Sequence, residues 1–411
     1  MTLPLSLYVH LPWCVRKCPY CDFNSHTAGR AADKGRYIGA LLKDIRFEAA
    51  RAGDRRVETV FFGGGTPSFF SAGEIGRLLD EIAASLTLAG DAEITMEANP
   101  GTVERDRLID YRRSGINRLS LGAQSFSDES LRRLGRIHGA VEVMQAFRDA
   151  EKAGFDSVNV DLMYALPGQT LEMAIFDVER AIELSPQHVS WYQLTLEPNT
   201  VFHAKPPPDL PGDDLSWDIE ERGHDLLGKA GFVNYETSAF ARRGFECRHN
   251  LNYWQFGDYL AAGAGAHGKY TDSKGDVWRY RKPAHPSSYM QASEAGQRDE
   301  RQQKLAQGDL AFEFMLNALR LTRGFQASGF VARTGLPFSI VAPRIERAVE
   351  QGLLQRSGSD GNGALCPTTL GRRFLNDLQA LFLPGPVVKD EDKQVTRSRL
   401  TRGGAAGVSP A

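Results

Sequence analysis

Cys14-Val15-Arg16-Lys17-Cys18-Pro19-Tyr20-Cys21 follows directly on the apolar run Leu5–His10, which reads as a first β-strand. Three of the chain's five cysteines fall within these eight residues. Three thiolates on one tight loop can ligate three corners of a [4Fe–4S] cube and leave one iron open to a small molecule. Zinc is the alternative, with His10 or His26 as the fourth ligand, although the spacing is not the paired one of common zinc ribbons.

The chain around this loop alternates strands and helices. Candidate strands are Leu5–His10, Val57–Phe62, Glu93–Glu97, Arg118–Leu121, Ser157–Asp161 and His188–Leu194. Between them run apolar stripes at helical spacing: Ile38, Leu41, Leu42, Ile45; Ile75, Leu78, Leu79, Ile82; and Leu171, Ile175, Val178, Ile182. Ser71 with Glu74 three residues on has the form of a capping box, and Gly53, Gly115 and Gly154 stand near helix ends. Such alternation predicts an α/β chain with a parallel sheet, and six units predict a partial (β/α)6 barrel rather than a closed eight-stranded one. The cysteine loop then sits at the carboxyl end of the strands, where parallel barrels build their sites.

Beyond the Pro-rich stretch Lys205–Gly212, a helix is expected from about Leu215 to Ala230, an extended segment over Phe232–Ala241, and an aromatic, Gly-rich region to Tyr280. After Pro286 the pattern turns helical. Leu353–Arg356 and Ala364–Pro367 read as a hairpin, followed by one helix carrying Leu370, Phe374, Leu378 and Leu381. These features predict a mainly helical, winged-helix-like C-terminal domain. The expected division is 1–205, 206–285, 286–383 and a disordered tail over 384–411.

The 411 residues carry 49 Lys+Arg against 51 Asp+Glu, a net charge of −2. That balance argues against a protein that coats nucleic acid. No apolar run reaches the ~18 residues of a membrane span, which leaves at most peripheral membrane contact. The N-terminus lacks a basic n-region and five cysteines make no disulfide framework, so a cytoplasmic location is expected.

Cys-x3-Cys-x-Tyr-Cys resembles the hallmark of radical S-adenosylmethionine (SAM) enzymes. The resemblance implies that Cys14, Cys18 and Cys21 ligate the cluster and that SAM chelates the open iron. It also implies that an electron from the cluster cleaves SAM to a 5′-deoxyadenosyl radical, which requires an electron donor. Tyr20 matches the family's aromatic position near the adenine. Gly63-Gly64-Gly65-Thr66-Pro67-Ser68 follows the second strand; it reads either as a backbone-exposing loop or as a tight strand-to-helix turn. Glu97, Gln124 and Asp161 recur at later strand ends, where they suit ribose hydroxyls, and Arg136 can pair with a carboxylate. Taken singly, each also reads as a surface charge or a helix cap.

From about Tyr8 to Tyr270 these strings are similar to oxygen-independent coproporphyrinogen III oxidase and its relatives. By position the resemblance implies SAM contacts for Tyr8, Gly64, Gly65, Thr66, Glu97, Gln124, Arg136 and Asp161, although Tyr8 also reads as a core aromatic. Where the oxidase has a fourth cysteine this chain has Phe23, and it begins about seven residues before Tyr8 without the oxidase's N-terminal extension. Asp22-Phe23-Asn24-Ser25 instead looks like the HemW-type heme chaperones, as does His249-Asn250-Leu251-Asn252-Tyr253-Trp254. That resemblance implies a protein that binds heme and passes it to an acceptor protein, with His249 the candidate axial ligand and Cys247 the next. The residues alone equally allow a hydrogen-bonded histidine beside core aromatics. The reading leans away from an enzyme, with oxidative decarboxylation of coproporphyrinogen as the alternative.

Overall fold

Leu5, Leu7, Val9 and Leu11 are buried in the main apolar core, whereas Ser6, Tyr8 and His10 alternate with them on the opposite face. In the computed structural model, which describes residues 3–384 apart from 30–31, 104, 298–300 and 358–362, this alternation recurs along the barrel strands. The expected tail beyond 384 lies outside the described residues. The strands of the first half are β1 (Leu5–Leu11), β2 (Trp13–Cys14), β3 (His26–Thr27), β4 (Arg56–Gly64), β5 (Thr87–Ala98), β6 (Arg118–Gln124), β7 (Ser157–Tyr164) and β8 (His188–Gln193). The long strands β1 and β4 to β8 pair in chain order, all parallel, as the six predicted units. β2 and β3 are a two-residue parallel bridge that closes the cysteine loop, Trp13 beside His26 and Cys14 beside Thr27.

Helices cover the outer face. α1 (Lys34–Ala52) starts on Asp33, whose carboxylate accepts from the Arg36 amide at 2.9 Å. α2 (Ala72–Ser85) carries the predicted capping box of Ser71 and Glu74. α3 (Arg105–Arg113), α4 (Asp128–Arg133), α5 (Ala140–Ala153) and α6 (Leu171–Leu184) complete the crossovers, and Gly154 ends α5 in the left-handed region at φ 78°. The inner face is polar. Ser6, Thr59, Thr95, Ser120, Asn159 and His188 are all buried there and largely bonded to one another.

The sheet extends beyond the six expected strands. After α7 (Val201–Ala204) and α8 (Asp213–Lys229), the predicted extended segment is a hairpin, β9 (Val233–Glu236) and β10 (Ala239–Ala241), on the β8 edge. α9 (Arg248–Trp254) follows. The aromatic, Gly-rich region forms β11 (Asp258–Ala262), β12 (His267–Thr271) and β13 (Val277–Arg281), and β11 lies parallel against β1. Period-2 alternation there is masked by glycines required for packing: a Cβ on Gly268 would meet the Tyr280 ring at 2.1 Å. α10 (Pro286–Glu294) packs on α1, and β14 (Arg301–Lys304) completes a twelve-stranded sheet.

α11 (Gln307–Ala318), α12 (Ala327–Thr334) and α13 (Ala342–Glu350) precede the predicted hairpin, β15 (Leu354–Arg356) with β16 (Leu365–Pro367). Phe314, Phe330, Ile345, Leu354 and Leu378 form a second core there. The single helix expected after the hairpin is two short ones, Thr369–Arg373 and Leu375–Ala380. Gly371 lies so close to the Leu353 carbonyl that a Cβ would sit 1.9 Å from it, so the first turn follows the hairpin and Leu370 and Phe374 stay exposed. No helix among the described residues is long and apolar enough to cross a membrane.

Candidate functional site

The cysteine loop leaves β1 at its carboxyl end and turns back on itself. The Cys21 amide donates to the Cys18 carbonyl at 3.2 Å, and Lys17 Nζ donates to the carbonyls of Phe23 and Ser25, both at 3.0 Å. Cys14, Cys18 and Cys21 are half-buried and line one cavity of about 620 Å³. Burial pushes the Cys14 and Cys21 thiols above their ordinary range, while Arg136 donates from Nη1 to Cys18 Sγ at 3.5 Å. Zinc is poorly served. Neither His10 nor His26 lines this cavity. Among the described residues no three His, Cys, Asp or Glu side chains gather where they could hold one metal ion. A cube takes one thiolate at each of three irons and needs no common point.

Gly64, Gly65, Thr66, Glu97, Gln124, Arg136, Asp161 and Tyr20 line the same cavity. Tyr8 does not. Its hydroxyl bonds His10 Nδ1 at 3.0 Å, and its ring lines an adjoining cavity of about 550 Å³ that shares Phe23, Gly64, Glu97 and Trp254 with the first.

The glycine loop is held by its own amides. Gly64 N–H donates to Glu97 Oε2 at 3.1 Å, Gly65 N–H to Leu11 O at 2.8 Å and Thr66 N–H to Trp13 O at 2.9 Å. The glycines serve close approach: Gly64 has φ 111°, and a Cβ there would lie 2.2 Å from the His10 ring. Gly64→Ala should therefore destabilise the fold by roughly 1–3 kcal/mol. Gly39→Ala, inside α1 with open space around it, should stabilise it by about 0.5–1 kcal/mol. Denaturant midpoints of the two variants measured together check both signs.

Asp161 is held by donors. Ser120 Oγ donates to Oδ2 at 3.0 Å and Asn159 Nδ2 to Oδ1 at 2.7 Å. Behind Asn159 a chain of bonds continues inward. Asn159 Oδ1 meets His188 Nδ1 at 2.6 Å, His188 Nε2 meets Tyr235 OH at 2.9 Å, and the Cys247 amide donates to Tyr235 OH at 3.2 Å. Gln124 sits at φ 70° at an irregularity in β6, and its Oε1 accepts from Tyr192 OH at 2.9 Å. Arg136 Nη2 donates to Gly122 O at 2.8 Å, while its Nε is buried without a partner.

Glu97 is pushed up to about 8, first by burial and then by the Asp161 charge. The folded state thus holds this proton more tightly than the unfolded chain. Its contribution is full at acid pH and is lost as pH rises from the ordinary carboxyl range through about 8. Unfolding free energy of the unliganded protein should fall across that window, and Glu97→Gln should flatten the fall.

His249 is placed elsewhere. It lies on α9, not in a loop, and is 1 % exposed at the level of Ser6 and Thr59, deeper than the mouth. Its Nδ1 meets Thr59 Oγ1 at 2.7 Å and its Nε2 meets Tyr253 OH at 2.9 Å, so both ring nitrogens are engaged. Burial lowers its pKa to about 3. Cys247 is buried against Glu93, 3.7 Å from Oε1, with its thiol pushed up to about 12. Neither residue lines either cavity.

Sequence reading missed Ser120, Ser190 and Tyr192, which line the mouth, and Asn159 beneath Asp161. The signal was available, because each lies an even number of residues along its strand from an inward polar group. It also missed Glu236 and Arg320, which meet at 3.2 Å after distant parts of the chain dock.

A family profile described as the radical SAM superfamily matches residues 8–181, and one described as the HemN C-terminal domain matches 305–374. The heme chaperone HemW of Escherichia coli (strain K12) is 50% identical over 380 residues, covering 92% of this chain and 98% of that protein. The heme chaperone HemW of Haemophilus influenzae is 48% identical over 384 residues, with 92% and 98% covered. Among solved structures, coproporphyrinogen III oxidase (HemN) from Escherichia coli superposes with a TM-score of 0.78 at 26% identity, covering 93% of this chain and 90% of that one. Identity of this extent over nearly the full length of such relatives places the chain plainly: it belongs to the HemW heme chaperone family, with a radical SAM domain.

Proposed function

We propose that this protein binds heme and transfers it to an acceptor protein, with a [4Fe–4S] cluster on Cys14, Cys18 and Cys21 and exchangeable SAM beside it. One observation carries the cofactor reading: the three thiols, Arg136, Glu97, Gln124 and Asp161 all face one cavity at the carboxyl end of a parallel barrel. The relatives named heme chaperones support the heme reading.

The residues fit their roles. Arg136 donates to Cys18 Sγ, and its unpartnered Nε is a donor suited to the SAM carboxylate. Asp161, bonded by Ser120 and Asn159, is oriented to accept from ribose hydroxyls. Tyr20 offers its ring to the adenine. When bound, the cluster supplies an open iron and an electron, the latter drawn from a separate donor protein if SAM is cleaved. The near-neutral charge assigns no nucleic-acid partner, and the proposed site of action is the cytoplasm.

The likeness to coproporphyrinogen III oxidase favours one alternative, oxidative decarboxylation of coproporphyrinogen III. Phe23, 55% exposed between the two cavities, stands where that enzyme class has a cysteine and favours transfer. Incubating reconstituted protein anaerobically with coproporphyrinogen III and, separately, with heme decides. A saturable heme spectrum without decarboxylated product is expected; turnover of coproporphyrinogen III overturns the chaperone reading.

A further inference from the structure

We infer that Asp177, on the outer helix α6, is a positioning residue for the SAM site: its carboxylate grips the turn after β6 and so sets Gln124 in the mouth. This rests on the SAM reading above and deepens it. α6 buries Ala174, Val178 and Ala181, and Asp177 is the one carboxylate among them, 1% exposed. A buried carboxylate is costly unless donors meet it. Here the donors come from the turn. Phe126 N–H donates to Oδ1 at 2.6 Å, and Ser125 Oγ lies 3.0 Å from Oδ1 and 2.8 Å from Oδ2.

Gln124 needs such a grip. It is not glycine, yet its backbone stands at φ 70°, in the left-handed region, where the register of β6 on β7 breaks. A strained residue persists only where its surroundings over-determine it. Ser125 Oγ also accepts from the Ser127 amide at 3.0 Å, and Ser127 in turn caps α4. Tyr192 holds the carbonyl end of the Gln124 side chain at 2.9 Å. The other end lies beside Arg136: a Cβ on Gly122 would be 3.1 Å from Gln124 Nε2 and 3.3 Å from Arg136 Nη2. Two donors thus converge in the cavity that the three thiols line. Asp177 does not line that cavity, so its effect on SAM passes through the turn.

The test measures SAM affinity in the full, cluster-loaded chain, together with hydrogen exchange over residues 124–127. Asp177→Ala should keep its iron and sulfide, lose amide protection at Phe126 and weaken SAM about tenfold, the worth of one positioned hydrogen bond. Asp177→Asn keeps an oxygen for the Phe126 amide and should bind SAM close to wild type. Gln124→Ala should weaken SAM by a similar factor. Adding Asp177→Ala to it should weaken SAM no further, because the two residues act as one unit. Val178→Ala, buried in the same helix face, should lower the denaturant midpoint and leave SAM affinity unchanged, which separates positioning from general damage. Ser125→Ala reaches the same contact from the turn and should also weaken SAM severalfold; it decides where Asp177→Ala does not fold. Unchanged SAM affinity in cluster-loaded Asp177→Ala protein overturns the inference, as do additive losses in the double variant or an equal loss in Val178→Ala. Unchanged exchange at Phe126 in Asp177→Ala overturns the grip alone. Wild-type protein that binds no SAM overturns the SAM reading itself, and the inference with it.

Discussion

Replacing any one of Cys14, Cys18 and Cys21 by alanine should abolish the cluster outright. Wild-type protein reconstituted anaerobically should carry about four irons and four sulfides per chain, with an EPR signal altered by SAM. The loss should be complete because no other thiol can stand in. Cys247 is buried against Glu93 and Cys366 lies in the C-terminal hairpin, its Sγ 3.1 Å from the Arg323 carbonyl. Arg136→Ala keeps three thiols and removes the donors to Cys18 and to the Gly122 carbonyl, so cluster should still form, at reduced stability toward loss of iron. Tight zinc without sulfide in strictly anaerobic material would reverse the assignment. So would a Cys14→Ala protein that keeps its iron and sulfide.

The second large effect concerns SAM. Asp161→Ala should leave the cluster loaded and weaken SAM binding about ten- to a hundred-fold, the consequence of losing a charge-assisted hydrogen bond of roughly 1.5–3 kcal/mol. Asn159→Ala should lose part of the same affinity without touching SAM, because Asn159 holds Asp161 Oδ1 at 2.7 Å and is itself held by His188. An analogue of SAM lacking the ribose hydroxyls separates this from general damage. Both variants should bind that analogue nearly as wild type does, since the bond they lose is no longer made. Equilibrium dialysis of the two ligands against the three proteins measures this. Unchanged SAM affinity in folded, cluster-loaded Asp161→Ala protein removes Asp161 from the site.

The contrast between Asp161 and His249 shows where residue patterns inform. The residue pattern ends the strand at Asp161; β7 runs on to Tyr164, but Asp161 lies on its polar face near the carboxyl edge of the parallel barrel, and that position has one destination, the mouth. His249 belongs to a motif of seven helical residues, too short for its apolar stripe to declare which side faces the barrel. Its aromatic neighbours fit a ligand wall and a core equally well. Both are realised at once, because Tyr253 lines a cavity on one side and covers His249 on the other.

The sequence by itself determined the six parallel units, the capped helices and the loop that carries three thiols. All of these follow from short-range periodicity and from spacing within eight residues. It also pointed to Glu97, Gln124 and Asp161 as polar side chains near the carboxyl ends of the strands. Only the tertiary structure decided that β11 to β14 extend the sheet past β1, because Gly268 of β12 packs against Tyr280 from another strand and interrupts the local pattern. Only it decided that Tyr8 belongs to the second cavity, that Arg320 reaches Glu236 across 84 residues, and that His249 is enclosed. Burial and hydrogen-bond saturation depend on what packs from elsewhere in the chain, and no window of residues contains that information.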